Sequence, residues 1–289
     1  MQAQNCSHHS AALAQCRASL AVLGTLLLAA LAGCRAPPAA RTATGPMVAP
    51  AGAAAYQIDA AGSHIWLQLR ADGPLAALGH NHVLVAQQLH GTIWLHPQPE
   101  RSALELVLPV AALAVDDPIE RAAAGGEFAA PLAAAARAGT REHMLGERQL
   151  DGTHFPTITL RSARVLAAAR RTGAAAQGEG ELLVDLQVTL RGRAALLRVP
   201  VSWWRRGALL CASGAVQFRQ SELGLEPYSV ALGALRVADL IAARFEIIAL
   251  PQGSAASSNS RVPSGASSTA FSCGFKPAGS PVAGANPAA

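Results

Sequence analysis

The sequence predicts a mainly β domain, an antiparallel barrel or sandwich with one short helical insertion. Apolar and polar residues alternate through most of the interval 56–250, which is the period of strands with one buried face. The alternating runs follow one another in hairpin order, and only the Ala-rich stretch 122–145 has helical character. Many such strands with a single helical insertion favour a closed or two-layered antiparallel sheet.

Each strand is identified by apolar residues at alternate positions. In chain order these sets are Ile65, Leu67 and Leu69; Val83 and Val85; Ile93 and Leu95; Leu104, Leu106 and Leu108; Ile158 and Leu160; Leu182, Val184, Leu186, Val188 and Leu190; and Ile241, Phe245 and Ile247. Two further strands, 195–204 and 208–218, are separated by Gly207. The stretch 122–145 is interrupted by Gly125, Gly126, Pro131 and Gly139, which predicts two short helical pieces.

The two ends of the chain differ in composition from this domain. Residues 18–33 are an uncharged apolar run, too short for a comfortable membrane span, and they predict a signal peptide over residues 1–33. Residues 34–55 and 251–289 are rich in Ala, Pro, Gly, Ser and Thr, with little to bury, so they are expected to be a flexible tether and a disordered tail.

The apolar run ends in Leu31-Ala32-Gly33-Cys34, which resembles a bacterial lipobox. Cys34 is therefore the expected lipidation site and the first residue of a mature lipoprotein, anchored to the membrane on the periplasmic side of the cell envelope. Arg35 follows it rather than an acidic residue, which favours sorting to the outer membrane. A simple secretory signal or an uncleaved anchor, with Cys34 incidental, is the alternative.

Charge and cysteine content exclude several classes of function. The interval 56–250 has 18 Arg and 18 acidic residues, so the net charge of +5 comes entirely from the flanks and a nucleic-acid partner is not expected. The five cysteines include no C-x-x-C pair, which disfavours a zinc ribbon or a disulfide scaffold. Cys211 is expected to be an isolated, buried cysteine.

Six short segments, in consistent order, resemble the YceI-like, polyisoprenoid-binding family. They are Tyr56-Gln57-Ile58-Asp59 with Ser63; Leu78-Gly79-His80-Asn81-His82; Gly91; the segment from Leu150-Asp151 to Phe155-Pro156-Thr157-Ile158; Ser221-Glu222-Leu223-Gly224-Leu225; and Val237-Ala238-Asp239. The resemblance implies an up-and-down, lipocalin-like β-barrel whose apolar interior holds an isoprenoid chain. It also implies a binding protein rather than an enzyme.

This resemblance makes the apolar strand faces candidate ligand contacts. The expected ligand is an isoprenoid or quinone-like lipid, no catalytic residue or cofactor is expected, and the sequence indicates no oligomeric state. The candidate ligand-binding residues are Ile65, Trp66, Leu67, His80, His82, Val83, Val85, Ile93, Trp94, Leu95, Val184 and Trp203. Adjacent Trp203 and Trp204 are expected on opposite strand faces. Alternation is the same in a filled barrel and a hollow one, so both remain open.

The histidines allow a second function. His80 and His82 are two residues apart and would share a strand face, which is the spacing for two imidazoles to bind one metal ion, and His143 could supply a third ligand. A metal-binding protein or metal-dependent enzyme is therefore the alternative to lipid binding. Hydrogen bonding by His80 and His82 at the mouth of the barrel is favoured over it.

Overall fold

The computed structural model describes residue 45 and residues 47–167, 179–252 and 273–274. The strands in chain order are β1 (Ala54–Ile58), β2 (His64–Leu69), β3 (Ala71–Asp72), β4 (His82–Ala86), β5 (His90–Leu95), β6 (Ala103–Pro109), β7 (Leu113–Val115), β8 (Thr157–Ala167), β9 (Glu179–Leu190), β10 (Arg193–Arg206), β11 (Leu209–Arg219), β12 (Ser229–Val230), β13 (Leu235–Val237) and β14 (Leu240–Pro251). Two α-helices, α1 (Pro118–Ala124) and α2 (Ala134–Leu145), lie between β7 and β8.

Within these described ranges, eight strands close into an antiparallel barrel in the order β1-β5-β6-β8-β9-β10-β11-β14, and β14 pairs back with β1. Three further strands lie beyond this closed ring and extend three of its strands. β2 pairs with β14 next to β1, β4 pairs with β2, and β7 pairs with β4. Consecutive segments are neighbours throughout, so the barrel is up-and-down. The predicted fold class is confirmed, and the helical insertion is two short helices as expected.

Ser63 explains how β1 and β2 form one broken strand along β14. Its buried hydroxyl donates to the carbonyl oxygen of Ile248 at 3.1 Å and accepts from the Ile248 backbone N–H at 3.0 Å. The side chain thus replaces ladder bonds where residues 59–63 leave the sheet. Buried backbone groups must be paired, so this one serine preserves β14 at the interruption.

The up-and-down order sends alternate connections to opposite ends of the barrel. Four connections, 70–81, 116–156, 191–192 and 220–239, meet at what we call the covered end. This end has both helices and a small three-stranded sheet, β12-β13-β3. The connections 96–102 and 207–208 lie at the opposite, far end.

Asp117 directly precedes helix α1, and its side chain caps the helix by accepting from the backbone N–H groups of Ile119 and Glu120. α1 and the following turn cover the outer face of β4. There Phe128 packs with Val83 and Val85 in a small core of its own. Helix α2 is fixed at the covered end by Arg141, which donates to the carbonyl oxygens of Leu113 and Ala111.

Cys211 is not an isolated cysteine, and this expectation is corrected. It forms a disulfide with Cys273, 62 residues away, with a Cα–Cα distance of 6.0 Å. The pair packs with Ile248 against Trp204, whose indole N–H donates to the Cys273 carbonyl oxygen at 3.3 Å. The expectation failed because Cys273 lies in a segment that has no sequence signal of packing onto the barrel.

Among the residues that the structure describes, no helix is long and apolar enough to cross a membrane. The expected signal peptide 1–33 and the lipidation site Cys34 lie outside the described residues. So does most of the tether 34–55, and of the tail 251–289 only residues 251–252 and 273–274 are described.

Candidate functional site

The inside of the barrel contains an apolar cavity of about 350 Å³. Every barrel strand except β1 contributes to its wall, and β2 and β4 do so as well. All but six of the lining residues are apolar, mainly Leu, Ile and Val. The alternation of the sequence explains this wall, because the inward face of each strand holds its apolar set. An alkyl or prenyl chain is the kind of molecule that such a wall accommodates.

Five of the predicted ligand contacts line the cavity: Ile65, Leu67, His82, Ile93 and Val184. They lie on β2, β4, β5 and β9, at positions that face inward. Leu95 and Trp203 also face inward, but they pack against the core beside the cavity rather than lining it. Trp204 packs in the outer cluster with the disulfide, so the two tryptophans do lie on opposite faces.

Val83 and Val85 do not face the cavity, contrary to the expectation. On β4 the inward positions belong to His82, Leu84 and Ala86, while both valines contact Phe128 on the outside. The physical reason is that helix α1 and the turn after it cover β4, so this strand is buried on both faces. Because β4 is apolar at every position from Val83 to Ala86, the pattern of apolar and polar residues does not indicate which of its faces points inward.

Three other predicted contacts also lie away from the cavity. Trp66 is on the outer face of β2, where its indole N–H donates to Glu120 at 2.7 Å and Arg244 stacks 3.6 Å from the ring centre. Trp94 alternates with the inward-facing Ile93 and is half-buried on the outer face of β5. His80 is exposed in the connection before β4.

The six polar residues of the wall all belong to the covered end. His82 is the first residue of β4, and Gln220 directly follows β11. The other four lie in the two long connections at this end: Thr140, His143, Gln149 and Tyr228. The far end of the cavity has no polar lining among the described residues, so the cavity has one polar end and one apolar end.

Two contacts join the long connections across the covered end. The amide of Gln149 donates to the Glu226 carbonyl oxygen at 3.0 Å, and the ring of His143 lies 4.9 Å from that of Tyr228. These residues link the segment after α2 to the segment after β11. They bridge the covered end with side chains rather than with continuous sheet.

A buried charged network supports His82. Nδ1 of His82 lies 2.6 Å from Oδ2 of Asp116, which is fully buried. Asp116 also accepts from the backbone N–H of Val83 at 2.9 Å and from Arg121 at 2.6 Å. Arg121, 2% exposed, donates in addition to the carbonyl oxygens of Asn81 and Ala130.

Asp116 is ionised in this environment. Burial by itself raises the pKa of a carboxyl group, but the hydrogen bonds from His82, Val83 and Arg121 hold the pKa of Asp116 below its usual value. Asp116 is not among the site residues that the sequence predicts. A helix start needs a single capping carboxylate and Asp117 supplies it, which leaves the adjacent Asp116 for another role.

The structure does not bring His80, His82 and His143 together as metal ligands. Across the described residues, no group of three His, Cys, Asp or Glu side chains has the arrangement of a metal site. His82 uses Nδ1 for Asp116, and His143 contacts Tyr228. The histidines that share a spacing in sequence therefore have separate partners in space.

No protein-family model matches the sequence, and no curated protein matches it either. The fold is similar to that of three solved structures: BcnA of Burkholderia cenocepacia, a polyisoprenoid-binding domain from Saccharophagus degradans and a variant of the YceI protein of Campylobacter jejuni. Their sequence identities are 14%, 12% and 8%, and their TM-scores are 0.46, 0.44 and 0.41. The matches cover 66%, 69% and 58% of this chain, and 98%, 99% and 84% of the respective neighbours.

Proposed function

We propose that this protein binds or carries an isoprenoid or another long apolar molecule inside its barrel. The observation that carries the proposal is the cavity of about 350 Å³ with its apolar wall. Ligand pockets begin at about 300 Å³, whereas well-packed interiors leave few voids larger than a water molecule. An isoprenoid is preferred among apolar ligands because of the sequence motifs that resemble the polyisoprenoid-binding family.

Binding in this proposal requires no chemical step. Each methylene group that moves from water into the cavity contributes about 0.8 kcal/mol, so a chain of modest length overcomes the cost of association. The polar residues of the covered end, including His82 and Gln220, would then face the polar end of the ligand. This arrangement serves sequestration or transport of an intact molecule.

We place the protein in the bacterial cell envelope, on the periplasmic side, anchored by a lipid on Cys34. The apolar run before Cys34 and its lipobox-like ending support this location. The Cys211–Cys273 disulfide supports it independently, because such bonds persist in oxidising compartments. Arg35 favours the outer membrane.

The anchor is tested by labelling cells with radioactive palmitate. Label in the wild-type protein and none in Cys34→Ala supports lipidation at this residue. Equal labelling of the two proteins, or no labelling of either, contradicts it.

Ligand binding is tested on the protein purified from its own membrane. Native mass spectrometry should show an added mass that solvent extraction removes, and the extract should contain a long apolar molecule. A protein that is empty in every preparation, and that binds no prenyl lipid when one is added, contradicts the proposed function.

A further inference from the structure

The hydrogen bond between His82 and Asp116 fixes which ring nitrogen carries a proton. An ionised carboxylate can only accept hydrogen bonds, so Nδ1 of His82 must donate across the 2.6 Å contact. In the neutral imidazole the other nitrogen, Nε2, then has no proton. In that form Nε2 can only accept a hydrogen bond.

Nε2 of His82 is accessible. Among the residues described by the structure, Nε2 has no hydrogen-bond partner. The buried side-chain nitrogen and oxygen atoms that lack a partner do not include it, so Nε2 is not fully buried. Its ring belongs to the cavity wall at the covered end. The acceptor is therefore available to a molecule whose end reaches the polar part of the cavity.

The buried ion pair behind His82 points to a role beyond stability. A buried ion pair such as Asp116–Arg121 rarely adds stability over apolar residues of the same volume, because both charges must be desolvated. Leu84 and Ala86, the next inward positions of β4, show that an apolar side chain suits this wall. The network does hold one imidazole ring in one orientation and one tautomer, which is how a binding residue is prepared in advance.

We infer that His82 binds a hydroxyl group at the end of the ligand, so that the preferred ligand is a long-chain alcohol. The inference rests on the proposed function. A hydroxyl can donate to Nε2, whereas an ether or a hydrocarbon of the same length cannot. A carboxylate would place a second acceptor against Nε2.

The other polar residues of the wall are compatible with a hydroxyl ligand. Thr140 already donates its hydroxyl proton to the Ala136 carbonyl oxygen, so its oxygen remains to accept. Gln220 donates an amide N–H to the Ala238 carbonyl oxygen and keeps its own oxygen. The hydroxyl of Tyr228 can donate or accept, so it does not discriminate between ligand classes.

The test compares three ligands with the same prenyl chain: geranylgeraniol, its methyl ether and the corresponding carboxylic acid. Their dissociation constants are measured with the full-length wild-type protein at mildly alkaline pH, by displacement of a fluorescent fatty probe. The alcohol should bind about fivefold more tightly than the ether, the usual net effect of one hydrogen bond. His82→Phe should remove this preference and retain binding of the ether.

His154 provides a matched control. Its Nδ1 contacts Asp151 at 2.8 Å, but its side chain is 71% exposed and it does not line the cavity. His154→Phe should therefore keep the wild-type preference for the alcohol. If both variants lose the preference equally, the assignment to His82 is overturned.

Nitrogen NMR of the histidine rings gives a readout that does not require a variant to fold. The wild-type spectrum should show His82 protonated at Nδ1, and the alcohol should shift the Nε2 resonance where the ether does not. Equal affinity for alcohol and ether, or tightest binding of the acid, overturns the inference and leaves lipid binding intact. Failure of all three ligands to bind contradicts the proposed function itself.

Discussion

Filling the cavity from Ala243 tests whether the barrel is hollow in solution. Ala243 lines the cavity on β14, where its neighbours across the sheet are Val216 and Leu67, which also line it. If the space is present, Ala243→Phe buries a ring in it and stabilises the ligand-free protein by up to about 1.5–3 kcal/mol. If the barrel is filled, the same ring overpacks the core and costs about 1–3 kcal/mol.

The sign of the change in unfolding free energy is measured by urea unfolding of delipidated protein, with tryptophan fluorescence as the signal. The variant and the wild type are compared at the same m-value, the slope of the unfolding free energy against urea concentration. Ala242→Phe is the control, because Ala242 pairs with Gln217 and Gln68 and does not line the cavity, so its effect should stay within about 0.5 kcal/mol. A ligand at a hundred times its dissociation constant adds about 2.7 kcal/mol to a protein that binds it. Ala243→Phe should lose that increment. Destabilisation by Ala243→Phe, or full retention of the ligand's increment, would contradict a hollow, ligand-binding barrel.

Three further perturbations test the fold around the cavity. Replacing Cys211 and Cys273 by Ser opens a loop of 62 residues and should cost about 4 kcal/mol in urea unfolding; equal stability with and without the bond would contradict this. The pKa of Asp116 is lowered on folding, so the stability that its ionised form contributes is present above about pH 4 and is lost as the pH falls through the folded-state pKa. Asp116→Asn should therefore flatten the acid limb of the curve of unfolding free energy against pH. An unchanged acid limb would argue against that role. In Gly91→Ala the new Cβ would lie 2.0 Å from the Glu105 carbonyl oxygen, and a loss of at least about 3 kcal/mol is expected; wild-type thermal stability would exclude the clash.

The barrel could be predicted from alternation because most of its strands bury only one face. Leu104, Leu106 and Leu108 were identified as one face, and all three line the cavity. Alternation did not identify the direction of Val83 and Val85, because a helix covers the outside there and both faces of the strand are apolar. Alternation indicates which residues of a strand share a face. It indicates that this face points inward only when the opposite face of the strand is polar.

The support of the site could not be predicted, because its contacts depend on tertiary packing. Asp116 lies 34 positions from His82 in the sequence, and only the pairing of β4 with β7 brings them together. The same pairing orients Arg121 at the start of the insertion toward the buried carboxylate. His82 was identified as a candidate metal ligand by its spacing from His80, but its partner in the structure is the carboxylate of Asp116 and not a second histidine.

The asymmetry of the cavity follows from the topology, and it sets the orientation expected of the proposed ligand. Strands that alternate through a closed barrel make the inward wall apolar along their whole length, so polar lining can come only from strand ends and connections. The up-and-down order places both long connections, 116–156 and 220–239, at one end. Under the proposed function, a chain with a single polar group is therefore expected to lie with that group among His82, Gln149 and Gln220 and with its tail toward the far end. A chain with polar groups at both ends would leave one of them unpaired in an apolar wall, at a cost of about 1–3 kcal/mol, so this barrel should discriminate against it by roughly five- to 150-fold.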